Sequence, residues 1–170
     1  MILGISTSAF TQLHVLISLI GIVTGIVVLF EMLKGRHARY WVEAFLITTI
    51  ATSVTGFMFH SKFGPASSIG AVSLVVLAVA LTALYGFKSR GSGRWMYVVS
   101  ACIALYLNVF VGVVQTFQKV TFFHSLAPTQ AEPPFAIAQG LVLVAFVALG
   151  IIATKRFHPS PKSMAPVSGI

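Results

Sequence analysis

Six side chains carry the chemistry of this sequence: His14, Thr55, Asn108, Gln115, Glu132 and Gln139. They stand inside or beside long apolar runs, where a polar group without a partner is costly. Amides, a hydroxyl and an imidazole facing one space would hydrogen-bond the polar head of a small amphiphile, a lipid or a quinone. Histidine offers a second chemistry. His14 and His60, on neighbouring helices at similar depth, would supply the two axial ligands of a haem b. His124 is a third donor, for haem, copper or zinc. No Ser-His-Asp set, nucleotide-binding loop or pair of acids in one segment is present, so the residues point away from an enzyme. A pocket holding His14, Gln115 and Glu132 would still be capable of acid–base work.

The elements that must position these groups are apolar. The chain is 57% hydrophobic and 8% charged, against about 25% charged in soluble domains. Its mean hydropathy is +0.96. Five apolar runs span about 13–30, 40–59, 67–87, 95–117 and 135–154. Each is close to the ~20 residues that carry a helix across a bilayer. None alternates as an outer-membrane barrel strand does. The expected fold is an all-α integral membrane bundle of five transmembrane helices over residues 1–154, with a basic, disordered tail at 155–170. The first segment lacks a basic n-region and a cleavage site, so it is expected to remain as a span.

Lysine and arginine set the expected orientation. Lys34, Arg36, Arg39, Lys88, Arg90, Arg94, Lys155, Arg156 and Lys162 fall on one side of a five-span chain; Lys62 and Lys119 fall on the other. The positive-inside rule then places the N-terminus outside and the C-terminus in the cytoplasm. Tyr40, Trp41, Tyr85, Trp95 and Tyr97 would form an aromatic belt at the basic side. The net charge of +8 is explained by these flanks, not by a nucleic-acid partner. Glu31 and Glu43 should pair with the neighbouring cations.

Small and polar residues are aligned. His14, Ser18, Gly21 and Gly25 share one face of the first helix; Thr48, Thr52 and Thr55 share a face of the second; Asn108 and Gln115 align on the fourth. Glycine, serine and threonine at this spacing let helices approach closely. In this topology His14, His60, Gln115 and Gln139 lie in the outer half of the membrane, and His124 and Glu132 in an outer loop. They are expected to form one outward-facing cluster. Glu132 is expected to cap the fifth span, with Pro133 and Pro134 in its first turn. The lone Cys102 reads as a small buried apolar residue.

VTGF (Val54–Phe57), LYLNVFV (Leu105–Val111) with VVQ (Val113–Gln115), and LAPTQ with EPPF (Leu126–Gln130, Glu132–Phe135) resemble a family of small, uncharacterised bacterial multi-spanning inner-membrane proteins. The resemblance covers the first through fifth spans. It implies an all-helical inner-membrane protein, without a function. Matching positions are His14, Thr55, Asn108, Gln115, Lys119, Gln130, Glu132 and Gln139. The chain departs from the pattern at Phe59-His60, where relatives read Phe-Pro, and lacks their histidine near Ser67–Ser68. The departure favours His14 and the amides over His60. Together these features suggest a non-enzymatic membrane protein, either an amphiphile binder or an accessory subunit of a homo-oligomer or larger membrane complex. A haem or metal electron-transfer protein, or an oligomeric transporter or channel, are the alternatives.

Overall fold

The computed structural model describes residues 4, 6–59, 65–87 and 91–158. Its helices are α1 (Thr7–Leu33), α2 (Arg39–Phe57), α3 (Pro65–Leu81), α4 (Ser92–Lys119), a short α5 (Thr121–Leu126) and α6 (Pro133–Arg156). A π-helical turn, Thr82–Gly86, continues α3. No strand occurs among the described residues. His60, Lys62, Lys88, Arg90 and residues 159–170 lie outside them.

The helix ends follow from local chemistry. Ser6 caps α1, its hydroxyl accepting from the Ala9 N–H at 3.2 Å. Gly35 closes it with φ of 74°, a left-handed geometry suited to glycine. The Gly35 N–H then donates to Met32 O and the Arg36 N–H to Glu31 O, the paired bonds of a Schellman motif. Glu132 is the N-cap residue of α6, with Pro133 and Pro134 following. The expected position of Glu132 holds, but its side chain turns backward. Its carboxylate accepts from the Thr129 N–H and hydroxyl and from the Ala131 N–H, tying the loop before α6 rather than the helix itself.

Four helical stretches are long and apolar enough to cross a membrane: Thr7–Leu33, Ser67–Gly86, Ser92–Lys119 and Pro133–Arg156. The second run differs. α2 has 19 residues and carries Glu43, Thr48, Thr49, Thr52, Ser53 and Thr55, a concentration of polar groups that keeps it out of that set. It packs between α1 and α3, while α4 contacts α1, α3 and α6. Of the spanning stretches α4 is the most enclosed and α6 the least, with 44% against 6% of their apolar windows buried. Exposed Leu16, Leu19 and Val23 on α1, and Leu141, Val144 and Val147 on α6, give the bundle an apolar outer surface, as lipid contact requires.

The apolar core fills one half of the bundle. Val28, Leu29 and Met32 meet Val42, Phe45 and Leu46, with Leu77 and Ala80 of α3, Val98 and Leu105 of α4, and Ala153 beyond α6's midpoint. This is the end to which Lys34, Arg36, Arg39, Arg94, Lys155 and Arg156 belong. Glu31 pairs there with Lys34 at 2.8 Å, and Glu43 with Arg39 at 2.8 Å, as expected. Gly25 makes the close approach possible: a Cβ there would stand 2.5 Å from Leu105 Cδ1 and 2.8 Å from the Phe45 ring. Cys102 is buried. Tyr40, Trp41, Tyr85 and Trp95 are exposed, but Tyr97 is not part of their belt. It is 1% exposed and packs against Phe157 and His37. The reason is its helical register: Tyr97 faces inward with Ala101 and Ala104, whereas Trp95 faces out.

Candidate functional site

Among the expected site residues the shortest contact joins α1 and α2, in the half of the bundle away from the basic end. His14 Nδ1 lies 2.7 Å from Thr55 Oγ1. The threonine has one proton, and it donates that proton back to Ala51 O at 2.7 Å. With that proton on Ala51 O, both 2.7 Å contacts are satisfied when the Thr55 oxygen accepts from His14 and the imidazole proton is on Nδ1. In the neutral ring Nε2 then carries the free lone pair. The ring is held from other sides too. Phe59 meets it edge-on at 5.1 Å and packs in turn on Phe10 at 5.0 Å. Gly56 leaves room beside it, since a Cβ there would stand 3.8 Å from His14 Cε1.

Two turns deeper, three helices meet at Gly21. Asn108 Nδ2 on α4 donates to Thr49 Oγ1 on α2 at 3.0 Å, in a buried setting. A Cβ on Gly21 would stand 3.3 Å from Thr48 Oγ1 and 3.5 Å from Asn108 Nδ2. The glycine lets α1 lie close over this pair, and a Cβ there would be tight only against Thr48. Thr48 bonds back to Ala44 O at 2.7 Å. Thr52, on the same face between Thr48 and Thr55, has a buried hydroxyl without a partner. His14 to Gly21 and Thr55 to Thr48 are each seven residues, or ~10 Å of rise. The α1–α2 interface is thus a polar seam with a histidine at the end away from the basic residues.

The remaining expected residues lie elsewhere. Gln139 Nε2 donates to Phe110 O at 3.2 Å across the α4–α6 interface, and its Oε1 is buried without a partner. Gln115 is exposed on α4, and His124 is exposed on α5. Glu132 is committed to its own loop. The single cluster read from depth alone resolves into a seam on α1, α2 and α4, a separate amide between α4 and α6, and a loop. The seam unites His14, Thr55 and Asn108 and adds Thr49 and Thr52.

His14 is the histidine best arranged as a ligand, because a partner on Nδ1 fixes the ring and leaves Nε2 directed away from Thr55. His60 lies outside the described residues. Among the described residues no three of His, Cys, Asp and Glu gather at metal-binding distance. A haem would therefore depend on His14 with one other axial donor.

Two features have no counterpart in the sequence reading. Arg94, read only as a topology charge, donates through Nη1 to Thr154 O at 2.9 Å and Phe157 O at 2.7 Å. It satisfies the free carbonyls at the C-terminus of α6, where a cation is favourable. Beside it His37, Tyr97 and Phe157 close the basic end; His37 Nδ1 and the Tyr97 hydroxyl are buried without partners. Burial holds His37 below its ordinary pKa, and the charge on Arg39 adds to the effect. The second feature is a groove of about 480 Å³ between α4 and α6, in the basic half and away from the seam. Partners some 60 residues apart leave no local signal. The chain matches no family model, no curated protein and no solved structure.

Proposed function

We propose that the chain is a non-enzymatic integral membrane protein that binds the polar head of a small amphiphile, a quinone or lipid, at the outer end of the α1–α2 seam. In this reading α2 is a fifth span, made tolerable in lipid because its threonines face α1 and α4. The basic end faces the cytoplasm of a bacterial inner membrane. One observation carries the reading: Thr55 Oγ1 lies 2.7 Å from both His14 Nδ1 and Ala51 O, and both contacts are satisfied when Thr55 donates to Ala51 O and His14 Nε2 is left as the hydrogen-bond acceptor. A quinol hydroxyl, or another donor on an amphiphile head, would donate to Nε2. Phe59 and Phe10 supply apolar walls beside it. Thr52, with an unpaired hydroxyl along the same face, is a second polar contact. An apolar face on α6 is available for lipid, for a second copy, or for a larger complex in which this chain is an accessory subunit.

The test is equilibrium binding of a short-chain quinol to the purified protein in detergent, for wild type and His14→Gln. Saturable binding, markedly weakened in the variant, is expected. Binding that survives His14→Gln unchanged would remove the seam from consideration.

The same Nε2 lone pair supports a second reading, an electron-transfer protein with haem b held by His14 and either His60 or His124. A spectrum of protein from haem-replete cells, oxidised and then reduced, separates the two. A Soret band that shifts on reduction and disappears in His14→Ala selects the haem reading. An oligomeric channel or transporter would instead give ion flux in liposomes, lost on Asn108→Leu or Gln115→Leu.

A further inference from the structure

We propose that the groove between α4 and α6 is a binding site for an anionic phospholipid, with one acyl chain along the groove and the phosphate on Lys155. Its walls include Val99, Ile103, Tyr106 and Phe146, and its mouth is formed by Trp95 and Lys155. The floor is shallow in side chains. A Cβ on Gly150 would meet Cβ and Sγ of Cys102 at 3.8 Å, ordinary contact distance, so two small residues packed together form the floor. Trp95 to Tyr106 is eleven residues of helix, ~16 Å of rise. One leaflet of a bilayer has ~15 Å of hydrocarbon. The groove therefore runs from headgroup level to the mid-plane, the path of a single acyl chain.

Charge selects the headgroup. The chain contains three acidic side chains. Glu31 lies against Lys34 and Arg36, Glu43 lies against Arg39, and Glu132 is in the loop before α6, at the other end of the bundle. Arg94 is turned onto the carbonyls of Thr154 and Phe157. Lys155 is exposed at the mouth with no carboxylate side chain left to neutralise it. A phosphodiester supplies that charge, and phosphatidylglycerol has no headgroup cation to compete for it, as choline does in phosphatidylcholine. Trp95 is 55% exposed beside Lys155, where an indole suits the boundary between acyl chain and headgroup.

The site shares no residue with the α1–α2 seam, so it stands or falls separately from the quinone reading. The experiment is native mass spectrometry of the full chain released from detergent containing equal phosphatidylglycerol and phosphatidylcholine. Wild type should retain one phosphatidylglycerol in preference to phosphatidylcholine. Lys155→Gln should reduce that preference by about fivefold, the weight of one lysine at an anionic surface. Gly150→Leu should abolish retention of both lipids by filling the floor. Equal retention of the two lipids by wild type would overturn the proposal. So would a preference unchanged in Lys155→Gln, or a wild-type dimer that Gly150→Leu converts to a lipid-free monomer, which would assign the groove to a second copy.

Discussion

Replacing Thr55 by valine removes one oxygen and tests the argument at its narrowest point. Two contacts are lost. The bond from Thr55 to Ala51 O is internal to α2 and leaves the helices where they are. The bond from His14 to Thr55 joins two helices and sets the ring. Interhelical hydrogen bonds in bilayers contribute ~0.6–2 kcal/mol. With 1.4 kcal/mol per factor of ten, that corresponds to about a 3- to 30-fold loss of affinity for a ligand that depends on the imidazole. Without the acceptor, the ring is free to rotate and to carry its proton on Nε2, which then cannot accept. The assay has two parts. Imidazole ¹⁵N shifts of His14 at alkaline pH should show the Nδ1–H tautomer in wild type and a mixture in Thr55→Val. Quinol titration should show the affinity loss in Thr55→Val, and no further loss when Thr55→Val is added to His14→Gln. A wild-type ring protonated on Nε2 would refute the proton assignment. Equal losses from Thr55→Val in both backgrounds would show that the hydroxyl acts on the ligand independently of His14.

Three further outcomes follow from the packing. Gly25→Val should destabilise the bundle by ~1–3 kcal/mol in a denaturation series, because its first carbon already overlaps Leu105 and Phe45; an unchanged midpoint would mean that α1 does not approach α2 and α4 closely. Asn108→Leu should cost ~0.6–2 kcal/mol of stability by removing the buried bond to Thr49. The loss should shrink toward zero in a Thr49→Val background, and full additivity would sink the contact. His37 predicts an acid sensitivity. Burial lowers its pKa in the folded chain from 6.5, so folding favours the neutral ring. That contribution is complete above 6.5 and is lost as the pH falls through the lowered folded value. His37→Gln should flatten this part of the stability profile, measured by thermal unfolding between pH 7.5 and 5, and a profile identical to wild type would show that His37 is not its source.

Much of the architecture is legible in the chain because its causes are local. Long apolar runs without alternation are enough to require helices, and α1, α4 and α6 extend a few residues past the runs that announced them. Glu132-Pro133-Pro134 marks the start of α6 because proline tolerates the first helical turn. The glycine and threonine faces on α1 and α2 are visible because helical spacing aligns them, and Gly21 and Gly25 do lie where helices meet. Other parts have no local cause. Tyr97 has the neighbours of an interfacial aromatic, and only the rotation of α4 turns it inward. Gln139 shares a depth with His14, but depth does not say which neighbour a helix faces, and Gln139 bonds to α4 instead. Arg94 finds its carbonyls on α6, and Gly150 and Cys102 leave a groove, only because α6 lies against α4 at one particular register. Composition and periodicity determine that helices form and which faces are small or polar. The choice of neighbour and the rotation of each helix arise from side-chain packing summed over the whole bundle, and those two quantities decide where the seam and the groove lie.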